Sequence, residues 1–364
     1  MKRCEKQSIS SQSISTEIEM SQSERTSATL ASMMHGFINL NKPSGWTSHD
    51  CVAKLRRLLN TKKVGHSGTL DPLATGVLPI AVGKATRLLQ YLPEGKAYQA
   101  VIRFGVQTTT DDLAGEIIRQ TSAADLQRSQ VEACFSQFVG ELTQVPPMYS
   151  AVQVNGKRLY DLARQGKTVD IPTRQVVIKQ LHSRQWQSGE QPELTVDVLC
   201  GPGTYIRSLA RDLGEAIGMG ATLAKLTRTY SNGFSLENSL SIETLTQALS
   251  TGDFVPLSAG EMLQHLSAIA LPPALSRRWC LGQKLSLEES KPHLIYGHND
   301  HDLTSIDHPL IGQPLRVLAA DSQTFLGIGE FRVGVPTAQS HDASSADAAQ
   351  ATTIFAPKRV YATI

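Results

Sequence analysis

No apolar run in this chain approaches the roughly 18 residues that a membrane-spanning helix needs, so no membrane association is expected. Cysteine is scarce. The five present (Cys4, Cys51, Cys134, Cys200 and Cys280) are scattered without paired spacing. They imply neither a disulfide framework nor a zinc site and fit a reducing compartment, so a cytoplasmic protein is expected. Charge of one sign is also lacking. The formal net charge is +2, which excludes binding to nucleic acid through uniform basicity. No glycine loop opens a helix as a phosphate-binding motif would, and no internal repeat is visible. Met1-Lys2-Arg3 is basic but no apolar stretch follows, so it is not read as a secretory signal.

What is present is local bias. Residues 36–91 hold Lys42, Lys54, Arg56, Arg57, Lys62, Lys63, Lys84 and Arg87 against only Asp50 and Asp71. Residues 151–182 are biased the same way. Such clusters contact phosphates or form solvated helix faces, and charge alone does not choose between them.

The length of 364 residues suggests two domains. Residues 1–34, rich in Ser, Thr, Gln and Glu, read as a disordered tail. Packing is expected to begin at Phe37, Ile38 and Leu40, with a turn at Lys42-Pro43-Ser44-Gly45. A helix follows, capped by Thr47 or Ser48, with Cys51, Val52, Leu55, Leu58 and Leu59 on one face. Residues 65–79 carry too much glycine and proline for a regular element and read as a structured loop. Alternation predicts strands through Tyr98, Ala100, Ile102 and Phe104 and through Leu194, Val196 and Val198. Helical spacing predicts helices over 126–138, stopped by Gly140, and over 206–217, stopped by Gly218.

Strands and helices mix without regular alternation, which points to an α+β fold. Residues 35–254 are expected to form the main domain. From about residue 255 the character changes to short strands (281–287, 315–319, 325–333 and 354–361), a small β module. Two polar segments, 288–309 and 336–353, interrupt it as loops or disordered insertions. The first holds His293, His298, His301 and His308 beside Asp300, Asp302 and Asp307. Their irregular spacing reads as a solvated loop rather than a metal site.

The segment with chemical promise is Gly65-His66-Ser67-Gly68-Thr69-Leu70-Asp71-Pro72-Leu73-Ala74-Thr75-Gly76. Its glycines allow unusual backbone conformations and close approach to a ligand. Asp71 and His66 are its only groups with acid–base or nucleophilic potential near neutral pH. On these grounds alone a turn opened by Asp-Pro remains the favoured alternative.

This segment closely resembles the signature of the bacterial tRNA pseudouridine-55 synthases. Further segments match in order: Leu40-Asn41-Lys42-Pro43-Ser44-Gly45-Trp46-Thr47-Ser48, Lys96-Ala97-Tyr98, residues 145–151 and 156–166, and Gly203-Thr204-Tyr205-Ile206-Arg207-Ser208-Leu209-Ala210-Arg211-Asp212-Leu213-Gly214. The resemblance covers about residues 36–235. It implies the pseudouridine synthase fold, with a mixed, mainly antiparallel central sheet, and a C-terminal PUA-like RNA-binding module at 255–364. It implies isomerisation of a uridine in the T-loop of tRNA, position 55, with the base flipped out of its stack. Asp71 would be the catalytic carboxylate, Arg207 its counter-ion and Asp112 a second carboxylate supporting the pair. Tyr98 would stack on the base. His66, Tyr205, Leu226 and Lys42 would contact the nucleotide or support the site, with Lys84 and Arg87 near phosphates. No cofactor or metal is expected, because isomerisation imports no group and oxidises nothing. The expected partner is the tRNA T-arm, with no obligatory protein partner and a monomeric state.

One departure from the family pattern is visible. Thr109 stands where an Asp is common, while the second Asp is kept as Asp112. Two other classes are carried beside the enzyme: a non-catalytic RNA-binding or RNA-folding protein on the same scaffold, and a hydrolase built on the His-rich insertion. The related guide-RNA-dependent enzymes share the Asp motif, and the compact C-terminal part favours the stand-alone type.

Overall fold

Alternating apolar residues build the middle of the larger sheet. The computed structural model describes residues 34–150, 152–154, 156–166, 169–290, 293–295, 310–334 and 352–362. Residues 1–33 of the expected tail, six of the histidine-segment residues discussed above (His298, Asp300, His301, Asp302, Asp307 and His308) and most of the second polar segment lie outside the described residues. In chain order the strands of the larger sheet are β1 (Gly36–Lys42), β2 (Val64–His66), β3 (Thr75–Val82), β4 (Lys96–Phe104), β5 (Gly140–Gln144), β6 (Arg174–Gln187), β7 (Glu193–Cys200), β8 (Ala221–Ser231) and β9 (Phe234–Ser235). Their spatial order is β1-β3-β8-β4-β7-β6-β5, with β2 on β3 and β9 on β8. Among these strands only β3 and β8 run parallel, so the sheet is mixed and mainly antiparallel, within an α+β fold.

Among the helices that accompany the sheet are α1 (Ser48–Leu58), α2 (Arg128–Ala133), α3 (Leu159–Arg164), α4 (Ile206–Ile217) and α5 (Ile242–Thr251). Thr47 caps α1 by accepting the Asp50 amide, while the Asp50 carboxylate accepts the Thr47 amide. This closed box fixes where the helix starts. α1 buries Cys51, Val52 and Leu55 against β1 and β3. α4 packs Ile206, Leu209, Ala210 and Leu213 onto the inner strands, the burial of each Leu or Ile stabilising by about 1.5–3 kcal/mol. It stops at Gly218, whose φ of 80° suits glycine.

The structure corrects several expectations. Residues 65–79 are not all loop, because their ends belong to β2 and β3. Pro79 sits inside β3, a position proline normally avoids. Its carbonyl accepts the Ser67 amide, and the nitrogen and carbonyl of a strand residue point to the same edge. The missing N–H therefore faces the gap between β8, which pairs with β3 at Thr75 and Gly76, and β2, which pairs from Ile80 onward. The helix expected over 126–138 is split into α2 and a 3-10 turn at Phe135–Phe138. β6 escaped the alternation test because its register shifts between Ile178 and Gln180 and between Ser183 and Gln185, which breaks the two-residue period.

A second sheet contains β10 (Ala268–Leu271), β11 (Leu285–Ser286), β12 (Leu294–Ile295), β13 (Leu315–Ala319), β14 (Phe325–Gly334) and β15 (Thr352–Val360), in the order β11-β15-β14-β13-β10-β12. Only Leu285 and Ser286 of the strand expected at 281–287 are extended. A helix, α6 (Pro273–Cys280), buries Trp279 in its core. Parts of the first polar segment are ordered: a short helix at Leu287–Ser290, and β12, which pairs with β10. The two sheets share apolar packing, with Phe37, Val77 and Leu88 meeting Leu318, Phe325 and Ile328. Lys84 reinforces the join by donating to the Tyr361 carbonyl at 2.9 Å.

Candidate active site

Asp71 stands in the loop between β2 and β3, and this loop is braced at nearly every peptide. The Ser48 hydroxyl, at the start of α1, accepts the Leu70 amide at 2.9 Å and faces the Leu70 carbonyl at 3.2 Å. The Gly45 amide donates to the Pro72 carbonyl at 2.8 Å, and the Ala74 amide to the Asp71 carbonyl at 3.1 Å. Arg228 of β8, 0 % exposed, donates to the carbonyls of Gly68 and Val77 at 2.9 and 2.7 Å. Gly76 lets β3 and β8 approach. A Cβ there would lie 2.3 Å from the Arg228 carbonyl, and its φ is 100°. The loop therefore holds one carboxylate in one place.

Arg207, the second residue of α4, meets that carboxylate. Its Nε lies 2.9 Å from Asp71 Oδ2, an ion pair, although the N–H is not aligned as a hydrogen bond. Nη1 and Nη2 donate to the carbonyls of Thr110 and Tyr149 at 3.2 and 3.0 Å. Arg207 is 4 % exposed, so these contacts fix the guanidinium. Asp112 completes the triad, with Oδ2 3.7 Å from Arg207 Nε. Its Oδ1 is held by the Thr110 hydroxyl at 2.6 Å and the Ala114 amide at 3.0 Å. Burial pushes the Asp71 carboxyl above its ordinary value, Arg207 opposes this, and Asp112 adds to the rise. The side chain of Asp71 is still 35 % exposed, through a cavity of about 240 Å³.

That cavity is lined by Asp71, Tyr98, Tyr205, Arg207 and Leu226, with Lys96, Ser150, Thr204 and their neighbours. Five residues expected at the site are thus brought together. Tyr98 belongs both to the core and to the cavity wall. Burial raises its phenol pKa, against the opposing pull of Arg228 directly across on β8, so the phenol stays neutral at pH 7. Tyr205 precedes α4, and Gln144 fixes its peptide from both sides, donating to its carbonyl at 3.2 Å and accepting its amide at 3.0 Å.

Two expected residues lie elsewhere. Lys42 is 0 % exposed and does not line the cavity. Its ammonium donates to the carbonyls of Pro43, Trp46 and Pro72 at 2.9, 2.7 and 3.4 Å. It ties the turn after β1 to the Asp71 loop, and burial pushes its pKa down to about 8. His66 lies in a neighbouring groove, packed edge-on against His49 with ring centroids 5.7 Å apart. Burial lowers its pKa, with His49 and Arg228 adding to the effect, so it is neutral. The substitution at Thr109 preserves the local loop: its hydroxyl accepts the Glu116 amide at 3.2 Å, as a carboxylate could.

The groove beside the cavity is basic. One part, about 470 Å³, is lined by Arg56, Lys62, Lys63, His49 and His66 among others, and a second, about 330 Å³, by Arg87, Gln90 and Arg359. The parts share Thr86 and Leu89, so they adjoin. No carboxylate lines either. Among the described residues none of these five Lys and Arg side chains forms an ion pair.

Sequence reasoning missed Ser48, Gln144, Lys96, His49 and Arg228 as parts of the site and its surroundings. Lys96 had a usable signal, because it stands two residues before Tyr98 and so on the same strand face. Arg228 had one too, two residues after Leu226.

The chain as a whole resembles proteins of known structure and name. A chain in the structure described as a Cbf5-Nop10-Gar1 complex superposes with a TM-score of 0.61 at 25% identity, covering 84% of this chain and 80% of that one. A chain in the structure of an H/ACA RNP bound to a substrate RNA containing 2'-deoxyuridine superposes with a TM-score of 0.61 at 22% identity, covering 92% and 86%, and shows the shared fold. The tRNA pseudouridine synthase B of Trichormus variabilis is 52% identical over 302 residues, 83% of this chain and 96% of that protein. That of Acaryochloris marina is 59% identical over 252 residues, 69% and 87% respectively. Residues 56–206 match the N-terminal domain of the TruB family pseudouridylate synthases. The fold and the likeness place the molecule among the pseudouridine synthases. The chain belongs to the TruB family.

Proposed function

We propose that this protein isomerises uridine to pseudouridine in tRNA, at position 55 of the T-loop, with Asp71 as the catalytic carboxylate. The observation that carries this reading is the Asp71–Arg207 pair, held rigid at one end of a cavity walled by Tyr98, Tyr205 and Leu226. Isomerisation breaks an N-glycosidic bond and rejoins the same base through carbon, so the site needs one well-placed carboxylate rather than an imported group. A pKa above the ordinary carboxylate value makes Asp71 a better base and nucleophile than an exposed aspartate, while Arg207 favours its charged form. Attack at the sugar C1′, addition at the base C6 and proton abstraction from the sugar all fit this geometry.

The enclosed cavity requires the base to leave its stack. Flipping costs a few kcal/mol, recovered in part by stacking in the pocket. Tyr98 supplies an aromatic surface, and Leu226 and Tyr205 the opposing walls. The basic groove supports the choice of RNA as substrate, because unpaired cations beside a catalytic cavity suit a phosphate backbone. The second sheet would then act as the PUA-like appendage, contributing Arg359 to the groove. The same groove favours a second role, remodelling of tRNA, which needs affinity but not Asp71.

The experiment is direct. Purified protein is incubated with unmodified tRNA, and pseudouridine is mapped along the transcript. Formation at position 55 alone is expected. Absence of pseudouridine, or formation only at other positions, contradicts the proposal.

A further inference from the structure

The strand that carries Tyr98 presents a second side chain to the same cavity. Lys96 is two residues earlier in β4, so it leaves the same face of the sheet about 7 Å along the strand, and it lines the cavity with Asp71 and Tyr98. It is half-buried. Among the described residues it forms no ion pair and donates no side-chain hydrogen bond. The groups pressing on its charge are Arg228, which opposes it, and the Cys200 thiol opposite on β7.

Arg228 stands behind it. With Nε and Nη2 bound to carbonyls, its Nη1 is buried and has no hydrogen-bond partner. Both cations converge on Gly68 of the Asp71 loop. A Cβ at Gly68 would lie 3.2 Å from Lys96 Nζ and 3.3 Å from Arg228 Nη1, and the φ of this residue is 70°. Two like charges held together with little water and no counter-ion are costly. An anion entering beside them would relieve that cost. The anionic group of a nucleotide whose base lies against Tyr98 is its phosphodiester.

We propose that Lys96 binds a phosphodiester oxygen of the nucleotide whose base occupies the cavity, with the buried Arg228 guanidinium adding a second positive charge behind it. The proposal rests on the RNA reading above and assigns Lys96 a role in substrate binding. Gly68 is the residue that allows this approach, since any side chain there would occupy the space between the two cations.

The test uses a T-arm stem-loop RNA in which a neutral methylphosphonate replaces the phosphate on the 5′ or the 3′ side of the target uridine. Dissociation constants and turnover are measured for the wild type, Lys96→Gln and Lys96→Arg. With native RNA, Lys96→Gln is expected to bind about 10- to 100-fold more weakly, the range of one charge-assisted contact. Lys96→Arg recovers most of that loss. With one of the two neutral linkages the wild type weakens by a similar factor, and Lys96→Gln weakens no further. A Lys96→Gln protein that binds native RNA normally overturns the proposal. So does one that remains as sensitive to both neutral linkages as the wild type. Thermal melting shows that the variants are folded. If the wild type binds the stem-loop without converting it, the functional reading fails, while the linkage comparison still decides the role of Lys96.

Discussion

The Asp71 loop and the groove beside it are neighbours built on opposite principles. In the loop, the peptides around Asp71 are tied to α1, β8 and the turn after β1, and the one carboxylate meets a guanidinium that is itself fixed at three points. In the groove, lysines and arginines carry no ion pairs among the described residues, and Lys62 and Lys63 are exposed. Chemistry at a single atom rewards fixed geometry, since a misplacement of 1 Å can cost a hundredfold in rate. Affinity for a phosphate backbone needs only mobile positive charge and tolerates loose geometry. The two regions should therefore fail differently when altered.

The largest separation is expected from Arg207→Lys. A lysine cannot reach Asp71 and the carbonyls of Thr110 and Tyr149 together. Turnover of T-arm RNA should fall by about a hundredfold or more, with RNA affinity within a factor of about three. A variant with normal turnover would show that the loop does not depend on its arginine.

A smaller and more specific effect is expected from Asp112→Asn. The role proposed for Asp71 requires its ionised form, so kcat/KM should rise with pH as Asp71 loses its proton. The inflection should lie above the ordinary carboxylate value of 3.8, because burial raises this pKa and the Asp112 charge adds to the rise. Removing that charge lowers the Asp71 pKa, so the inflection moves to lower pH. A pH–rate profile that stays in place, or moves to higher pH, breaks the electrostatic account.

The groove should respond in the opposite way. Lys62→Gln combined with Lys63→Gln is expected to weaken RNA binding and reduce the salt dependence of log Kd by about one to two units of slope, one per lost phosphate contact. Turnover at saturation should hold, and stability should change by no more than about 0.5 kcal/mol, as for other exposed sites. An unchanged slope in a salt titration would mean that the groove is only a solvated surface.

Much of this was legible in the sequence, for identifiable reasons. β4, β7, α1 and α4 each bury one face on a regular period, so their patterns were readable. Asp71, Arg207, Asp112, Tyr98, Tyr205 and Leu226 could be named from the resemblance, and the structure gathers five of them around one cavity, with Asp112 beside Arg207. What was hidden depends on tertiary placement. β6 hides its period behind two register shifts. Pro79 is tolerated in β3 because its missing N–H lies on the side where the pairing with β2 has already ended at Ile80. Lys42 looks like a ligand contact in a polar motif, yet three carbonyls turn its ammonium inward. His66 sits five residues from Asp71 but belongs to the groove. Gln144 acts through backbone atoms distant in sequence, and no local pattern marks it, while Ser48 shows in the sequence only as a helix-cap candidate and not as a brace of the Asp71 loop.

The central claim is that one fixed carboxylate performs the chemistry while the rest of the site binds and positions RNA. Asp71→Asn tests it most directly, with pseudouridine formation and RNA affinity measured on the same tRNA. Because the folded-state pKa of Asp71 is raised, ionising it costs stability at every pH above its unfolded value. Asparagine removes that cost, so the variant should melt no lower than the wild type at pH 7. The account predicts that product formation falls by at least about 10⁴-fold while tRNA binding is retained. A folded Asp71→Asn protein that still forms pseudouridine at the wild-type rate would contradict it.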